Sequence, residues 1–253
     1  MKRICLITGA TSGIGEALAY QLSSLDYKLI LCGRKQSKLD KLQSDLSSQT
    51  EIITLNFDVR DREDVLEAIH TLPDEWKKIK VLINNAGNAH GLAHFSEAEI
   101  DDLNAMIDIN VKGLMYVSKA AIPLMIQNAP GHIINISSIA GKNTYKNGVI
   151  YCASKKAVEA ISEGLRLELL DKEIKVSNIA PGLVETNFSM VRFKGDETRS
   201  KAVYEGYTPL SANDISDLIV YILQAPTHVN IADVTILPTS QASSTDLIKR
   251  KSF

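Results

Sequence analysis

Tyr151 and Lys155 lie four residues apart in the run Tyr-Cys-Ala-Ser-Lys, and Ser138 precedes Tyr151 by thirteen residues. If this segment is helical, side chains at i and i+4 share one face, so the ammonium lies beside the phenol. Moving a tyrosine pKa from about 10 to about 7 requires roughly 4 kcal/mol, which a cation at about 4 Å supplies at an effective dielectric near 20. The spacing therefore indicates a tyrosine that exchanges a proton, with a solvated helix face as the alternative.

A glycine-rich turn, Thr8-Gly-Ala-Thr-Ser-Gly-Ile-Gly15, supports hydride-transfer chemistry near this tyrosine. It follows a short apolar segment and precedes a helical pattern. In that position the backbone N–H groups and the helix dipole face the phosphates of a dinucleotide. Because the glycine spacing departs from the common G-x-G-x-x-G, a simple tight turn is the alternative. The residues expected to contact a cofactor here are Gly9, Thr11, Ser12, Gly13, Ile14 and Gly15.

The residues after the second apolar segment predict which dinucleotide binds. An NAD-binding protein usually has an Asp or Glu there for the ribose 2′-hydroxyl. This chain instead reads Cys32-Gly-Arg-Lys35. The planar guanidinium of Arg34, with Lys35 as a second cation, suits a 2′-phosphate. NADP(H) is therefore favoured over NAD(H), with solvated charges at a helix start as the alternative.

The alternation of short apolar runs with longer helical patterns predicts an α/β fold. Runs rich in Ile, Leu and Val are typical of a parallel sheet whose two faces are covered by helices. The predicted strands are Arg3–Thr8, Lys28–Cys32, Glu51–Phe57, Val81–Asn84, His132–Ile136, Lys175–Ile179 and Val234–Leu237. The predicted helices are Ile14–Leu25, Ser37–Leu46, Arg62–Thr71, Glu99–Gln127, Val149–Lys172 and Asn213–Gln224. We expect residues 1–253 to form one domain.

Composition and charge narrow the classes of function. The net charge is −2 and the lysines are spread along the chain, so no basic stripe for nucleic acid is expected. We expect no membrane span, because no apolar run reaches about 18 residues, and no secretory signal, so the predicted location is the cytoplasm. The three cysteines are expected to be buried free thiols. His90 and His94 lack companion ligands at metal-binding spacing, so no metal site is predicted.

Five motifs occur in an order that resembles the short-chain dehydrogenase/reductase family over nearly the whole chain. They are Thr8–Gly15, Asn84-Asn-Ala-Gly87, Asn110, Ser138 and the Tyr151/Lys155 pair. The resemblance implies a seven-stranded, doubly wound, Rossmann-like parallel sheet with helices on both faces. It also implies nicotinamide chemistry and, commonly, a homotetramer.

The resemblance further implies roles for individual side chains. Ser138 would hydrogen-bond the substrate oxygen and Tyr151 would transfer its proton. Lys155 would bind the nicotinamide ribose and lower the tyrosine pKa, while hydride passes between nicotinamide C4 and the substrate carbon. Asn110 resembles the family's asparagine at a helix kink, where it would hold a water that links Lys155 to solvent. Ser137 competes with Ser138, and the family interval of twelve intervening residues before the tyrosine favours Ser138.

Cofactor contacts are also implied by the resemblance. Asp58-Val59 is similar to the adenine-contacting pair of the family. The segment Asn84–Gly87 is similar to the one that supports the central strand and the cofactor. The cofactor contacts implied in this part of the chain are Asp58, Val59, Asn85, Ala86, Gly87, Tyr151, Lys155, Pro181, Gly182, Val184 and Thr186.

The C-terminal third is similar to the NADP-dependent 3-hydroxy acid dehydrogenase branch, whose members oxidise serine, L-allo-threonine and related β-hydroxy acids. The similar runs are residues 181–186, 191–196 and 228–231. Residues 186–209 follow a strand end and are predicted to form a substrate lid. A small carboxylate needs a cation, so Arg192 and Lys194 join Ser138 and Tyr151 as candidate substrate ligands. Solvated or subunit-contact charges are the alternative for the two lid cations.

Three functions follow from these residues. The first is hydride transfer between NADP and the 3-hydroxyl carbon of small 3-hydroxy acids. The second is an NADPH-dependent reductase of 3-oxoacyl thioesters or other carbonyl compounds, which would use the same catalytic residues with a different pocket. The third is an NADP(H)-binding sensor without turnover. The sequence leaves the physiological substrate, the direction and the stereochemistry open.

Overall fold

The computed structural model describes residues 2–250, and its centre is a seven-stranded parallel sheet. The strands are β1 (Arg3–Thr8), β2 (Tyr27–Gly33), β3 (Ile52–Asn56), β4 (Ile79–Asn84), β5 (Gly131–Ile136), β6 (Ile174–Pro181), β7 (Val184–Glu185), β8 (Leu210–Ser211) and β9 (Asp233–Ile236). The main sheet has the order β3-β2-β1-β4-β5-β6-β9, and β7 pairs with β8 separately. The order reverses direction at β1 and β4, so the predicted doubly wound parallel sheet is confirmed.

Helices cover both faces of this sheet. They are α1 (Gly13–Ser23), α2 (Gln36–Leu46), α3 (Arg62–His70), α4 (Ile100–Ile107), α5 (Leu114–Gln127), α6 (Ile139–Lys142), α7 (Val149–Glu168), α8 (Phe188–Arg192), α9 (Glu197–Ala202) and α10 (Ala212–Gln224). Side chains of β1 alternate between the two faces: Ile7 packs with the face that holds Leu18 and Ile219, and Leu6 packs with the face that holds Val117. Burial on both faces explains why the strand sequences are almost entirely apolar.

The predicted long helix over residues 99–127 is interrupted. A π-helical turn, Asp108–Gly113, separates α4 from α5. At this turn the Asn110 side chain bonds the backbone of Asn88. Its Nδ2 donates to the Asn88 carbonyl and its Oδ1 accepts from the Asn88 N–H, each at 2.8 Å. Such π turns occur mostly at functional sites, where they reorient one side chain.

Residues 186–209 contain two short helices, α8 and α9, that the sequence analysis did not predict. Asp196 caps α9 by accepting a hydrogen bond from the Arg199 N–H at 3.0 Å. Helices of five or six residues give too few apolar repeats to be recognised from periodicity. Residues 187–209 therefore form a folded segment beside the carboxyl ends of β1 and β6, and we call this segment the cover.

A C-terminal strap, residues 241–250, packs against this cover. Gln241 Oε1 accepts a hydrogen bond from the Leu183 N–H at 2.9 Å, and Ser244 Oγ donates one to the Asn143 carbonyl at 2.9 Å. Further along, the Arg250 N–H donates to the Gly206 carbonyl at 2.7 Å. The strap thus joins the loop after β6 to both α6 and the end of the cover.

The three cysteines, Cys5, Cys32 and Cys152, are buried free thiols, as predicted. Among residues 2–250, no helix is both long and apolar enough to cross a lipid bilayer. The same residues contain no group of three or more His, Cys, Asp or Glu side chains arranged to hold a metal ion.

Candidate active site

A cavity of about 910 Å³ lies beyond the carboxyl ends of β1, β2, β4, β5 and β6. Ligands of open α/β sheets bind at this edge, where the strand order reverses. We call one end the glycine-turn half and define it by Thr11, Ser12, Arg34, Lys35 and Asp58. We call the other end the tyrosine half and define it by Ser138, Tyr145, Tyr151, Phe188 and Arg192.

Most residues predicted to contact a cofactor line this cavity. Those that do are Gly9, Thr11, Ser12, Gly13, Ile14, Arg34, Lys35, Asp58, Val59, Asn85, Ala86, Gly87, Tyr151, Lys155, Pro181, Gly182, Val184 and Thr186. Gly15 is the exception and packs behind the turn. A Cβ atom built on Gly15 would lie 2.6 Å from Asn85 Nδ2, so only glycine permits this close approach.

The glycine turn is held by the end of β4. Asn85 Nδ2 donates a hydrogen bond to the Thr8 carbonyl at 2.9 Å. In return, Thr8 Oγ1 accepts from the Asn85 and Ala86 N–H groups, each at 3.0 Å. These bonds fix the turn from the first strand against the neighbouring central strand, so its shape is set before any ligand arrives.

Three cations gather at the outer end of the glycine-turn half. The Arg34 side chain is 60% exposed, with Nη1 3.5 Å from Asp58 Oδ2. Lys35 precedes α2, whose first turn has no acidic residue, and Lys38 lies one turn further on. Both lysines line the cavity. A phosphate here would meet Arg34, two ammonium groups and a helix N-terminus. Sequence reasoning missed Lys38, although its i+3 spacing from Lys35 was visible.

Tyr151 lies on the first turn of α7, is 7% exposed, and packs against Phe188 with ring centroids 5.8 Å apart. Burial raises the pKa of Tyr151, and Tyr145 adds to this effect. A hydrogen bond with Ser138 and the charge of Arg192 lower that pKa but do not reverse the shift. The phenol therefore carries its proton at neutral pH, which is the form that a proton donor needs.

Lys155 is 5% exposed, and its Nζ donates a hydrogen bond to the Ile136 carbonyl at 2.8 Å. Burial lowers the pKa of Lys155 to about 8, and the carboxylate of Glu159 opposes that shift. In this structure the cation that lowers the pKa of Tyr151 is Arg192. The role implied for Lys155 in lowering the same pKa stays a prediction.

Ser138 and Ser137 have different partners. Ser138 caps α6 by accepting from the Ala140 N–H at 3.1 Å and also hydrogen-bonds Tyr151. Ser137 Oγ instead donates to Glu159 Oε1 at 2.8 Å. The hydroxyl that faces the tyrosine is thus that of Ser138, as the interval from Tyr151 favoured.

Asn110 does not line the cavity and is 1% exposed. Besides its two bonds to Asn88, its Nδ2 donates to Ser154 Oγ at 3.0 Å, and Ser154 Oγ donates to the Tyr151 carbonyl at 2.8 Å. Asn110 therefore connects the segment after β4 with the helix that carries Tyr151. The water-holding role implied for Asn110 stays a prediction.

The two predicted lid cations lie in different places. Arg192, at the end of α8, places its guanidinium carbon 5.3 Å from the centroid of the Tyr151 ring. Its Nη2 donates to Tyr145 Oη at 2.7 Å, and its Nε donates to the Gly91 carbonyl at 3.2 Å. Lys194 lies outside the cavity lining, with Nζ 2.9 Å from Asp102 Oδ2. Arg192 is thus a candidate substrate ligand, whereas Lys194 connects the cover to α4.

Several cavity residues escaped the sequence analysis. They are Lys38, Leu92, Tyr145, Lys146, Phe188, Gln241 and Ser244. Tyr145 is part of the tyrosine half because it precedes α7 by only four residues, a proximity that was visible in the sequence. The contacts of Gln241 and Ser244 depend on the strap, which no local pattern predicts.

Comparison with known proteins identifies the class. The family model described as short chain dehydrogenase matches residues 3–197, which is more than half of the chain. The chain therefore belongs to the short-chain dehydrogenase/reductase family and is an oxidoreductase of that class. Fold, cavity position and the Ser138, Tyr151 and Lys155 arrangement are all consistent with this membership.

Individual relatives cover nearly the whole chain. The chain is 39% identical over 251 residues to sulfoacetaldehyde reductase 2 of Chromohalobacter salexigens, covering 99% of this chain and 100% of that protein. It is 40% identical over 240 residues to NADP-dependent 3-hydroxy acid dehydrogenase YdfG of Salmonella typhimurium, covering 94% and 96%.

Solved structures agree with these relatives. The closed form of serine dehydrogenase complexed with NADP+ superposes with a TM-score of 0.91 at 38% identity, covering 98% of this chain and 100% of that one. Serine dehydrogenase from Escherichia coli gives a TM-score of 0.82 at 35% identity, covering 94% and 99%. The NADP named for two of these proteins agrees with the cofactor that Arg34 predicts.

Proposed function

We propose that the protein transfers hydride between NADP(H) and the 3-hydroxyl carbon of small 3-hydroxy acids such as serine, L-allo-threonine or 3-hydroxyisobutyrate. The observation that carries this proposal is the guanidinium of Arg192, 5.3 Å from the Tyr151 ring in a half that Phe188 and Leu92 also line. A carboxylate on the substrate would be drawn to that cation. The hydroxyl carbon would then lie near Ser138 and Tyr151.

The residues of the cavity fit NADP(H). The glycine turn would receive the pyrophosphate, Arg34 with Lys35 and Lys38 would bind the 2′-phosphate, and Lys155 would bind the nicotinamide ribose. When bound, the cofactor supplies or accepts the hydride. During carbonyl reduction Tyr151 gives its proton to the substrate oxygen, and Ser138 holds that oxygen. During oxidation Tyr151 must first be deprotonated to accept the hydroxyl proton.

A second candidate, reduction of a small aldehyde that carries a sulfonate, is favoured by the relative named sulfoacetaldehyde reductase. The same Arg192 would bind a sulfonate. Reduction of 3-oxoacyl thioesters is less well supported, because α8 closes the tyrosine half with a charged side chain beside Tyr151. A silent sensor role is less well supported because proton donor, serine and lysine are all present. We expect a homotetramer from the family resemblance, and the cytoplasmic location stays a prediction.

The test compares a charged substrate with its neutral analogue. NADP+ reduction is measured with 3-hydroxybutyrate and with its methyl ester, for wild type and Arg192→Met. We expect Arg192→Met to lower kcat/KM for the acid about 10- to 100-fold, the usual cost of one charge-assisted contact, and to change the ester little. Lys146→Met is the matched control, because exposed Lys146 lines the same half without touching Tyr151.

Equal losses for acid and ester in Arg192→Met would overturn the carboxylate role. Parallel assays use serine, L-allo-threonine, sulfoacetaldehyde and an acetoacetyl thioester. Turnover confined to the thioester would overturn the substrate proposal and keep the catalytic residues. Turnover confined to sulfoacetaldehyde would indicate that Arg192 binds a sulfonate and not a carboxylate.

A further inference from the structure

A polar cluster lies behind Lys155, and one of its members, Ser137, also lines the cavity. We call it the Glu159 cluster, and its members are Ser137, Lys142, Asn178, Asp233 and Glu159 itself. Glu159 lies one helical turn after Lys155 on α7 and is largely buried, with a side chain 17% exposed. None of its contacts is required to hold α7 as a helix. The cluster therefore needs an explanation beyond the fold.

Glu159 connects four elements of the structure. Its Oε1 accepts hydrogen bonds from Ser137 Oγ at 2.8 Å and from Asn178 Nδ2 at 3.0 Å. Its Oε2 pairs with Lys142 Nζ, which also lies 2.6 Å from Asp233 Oδ2. A single carboxylate on α7 thus contacts the segment after β5, strand β6 and helix α6, and reaches β9 through Lys142.

The segment after β5 is packed tightly on α7 at this point. A Cβ atom built on Gly141 would lie 2.9 Å from the Lys155 carbonyl oxygen, 2.9 Å from Ser137 Oγ and 3.0 Å from Glu159 Cγ. The same segment carries Ser138 and directly follows Ile136, the last residue of β5, whose carbonyl accepts the bond from Lys155 Nζ. Any shift between this segment and α7 would therefore move Ser138 and Lys155 relative to Tyr151.

We propose that Glu159 is a positioning residue for the reaction: through Ser137 and Lys142 it fixes the segment that carries Ser138 against the helix that carries Tyr151 and Lys155. The inference rests on the proposed roles of Ser138 and Lys155. Glu159 does not touch the cavity, so it acts only through these neighbours.

Charge supports the geometric argument. Burial lowers the pKa of Lys155 to about 8, and Glu159 raises it against burial. The charged groups that face Glu159 are Lys142 from α6, Asp233 from β9 by way of Lys142, and Lys155 from its own helix. Tyr151 is the other titratable group beside Lys155. Removing the negative charge of Glu159 should make Lys155 lose its proton at a lower pH.

The test uses Glu159→Gln, which keeps the side-chain shape and removes the charge. We expect kcat for NADPH-dependent reduction to fall about 10- to 100-fold, as for a small misplacement of reacting groups. We also expect the alkaline limb of kcat against pH to move about one pH unit lower. NADPH affinity should stay near that of wild type. Glu163→Gln, an exposed glutamate one turn further along α7, is the matched control and should resemble wild type.

A second variant gives the opposite sign. Lys142→Met removes the cation that pairs with Glu159, so the alkaline limb should move to higher pH. An unmoved alkaline limb in both Glu159→Gln and Lys142→Met would overturn the inference, even if both proteins melted at lower temperature. The assay uses whichever carbonyl compound the wild type reduces. Activity on aldehydes alone would therefore overturn the 3-hydroxy acid proposal and leave this test intact.

Discussion

The two halves of the cavity are built from different parts of the chain. In the glycine-turn half, the turn after β1 is fixed by Thr8 and Asn85, and its cations follow β2 directly. In the tyrosine half, Arg192 of α8 contacts the Gly91 carbonyl, 101 residues earlier in the chain. The first half thus uses the ends of strands, whereas the second depends on the cover and the strap. Ser138 and Tyr151, which we propose to carry the chemistry, lie on the scaffold, whereas Arg192, which we propose to select the substrate, lies on the cover.

The largest expected effect is a loss of turnover in the tyrosine half without a loss of cofactor binding in the glycine-turn half. Tyr151→Phe removes the hydroxyl that exchanges a proton, so turnover should fall about 10³-fold. The affinity for NADPH, measured by fluorescence, should change little because the glycine-turn half is intact. Tyr221→Phe is the control, since Tyr221 is 67% exposed on α10. Turnover near that of wild type in Tyr151→Phe would refute the catalytic role.

The next largest effect tests cofactor discrimination by the glycine-turn half. Arg34→Ala removes a charge-assisted contact to a 2′-phosphate, which is worth about 10- to 100-fold in affinity. NADPH binding should weaken by that factor, while NADH binding should change little. Lys41→Ala is the control, because exposed Lys41 pairs with Asp45 on the same helix, outside the cavity. Equal losses for NADPH and NADH would show that Arg34 does not distinguish them.

A smaller effect should appear in the pH dependence of the reaction rates, which is set by Tyr151 and Lys155 and not by the glycine-turn half. Because the pKa of Tyr151 is raised, its acid form persists to higher pH. Oxidation needs the deprotonated form, so its rate should rise up to about tenfold per pH unit at any pH below the raised pKa of Tyr151, a range that includes all pH values below the pKa of Lys155, about 8. Reduction should stay nearly constant over the same range. Oxidation independent of pH there would contradict this assignment.

The smallest effect concerns the contact between the cover and α4. Lys194→Met removes an ion pair between exposed Lys194 and partly buried Asp102, so KM for the substrate should rise only about twofold. Lys201→Met, which removes a pair within α9, should leave KM unchanged. A loss of NADPH affinity in Lys194→Met would contradict the assignment of cofactor binding and substrate binding to different halves of the cavity.

Sequence reasoning predicted the glycine-turn half far better than the tyrosine half. The strands, the glycine turn and the cations after β2 follow from local periodicity and from residues adjacent in sequence, whereas the doubly wound sheet was implied by the family resemblance. Gly15 was assigned to the cavity lining, but close packing on Asn85 places it behind the turn. The predicted NADP(H) agrees with the relatives named above.

The rest depended on contacts between distant segments. Arg192 and Lys194 are two residues apart and looked equivalent in sequence. Their partners, Tyr145 and Asp102, decide which of them faces the cavity, and those partners are set by tertiary packing alone. The pattern predicted one uninterrupted helix over residues 99–127, and only the family resemblance implied a kink at Asn110, where a π turn accompanies the bonds to Asn88.

The strap of residues 241–250 has a consequence for the order in which the protein matures. Chains fold from the N-terminus as they are synthesised. The glycine turn, β2 and β4 can pack once the first part of the chain has emerged. Gln241 and Ser244 line the cavity, and Gln241 holds the loop after β6; both emerge after all the strands of the main sheet. A nascent or truncated chain could therefore hold nucleotide before it can select a substrate.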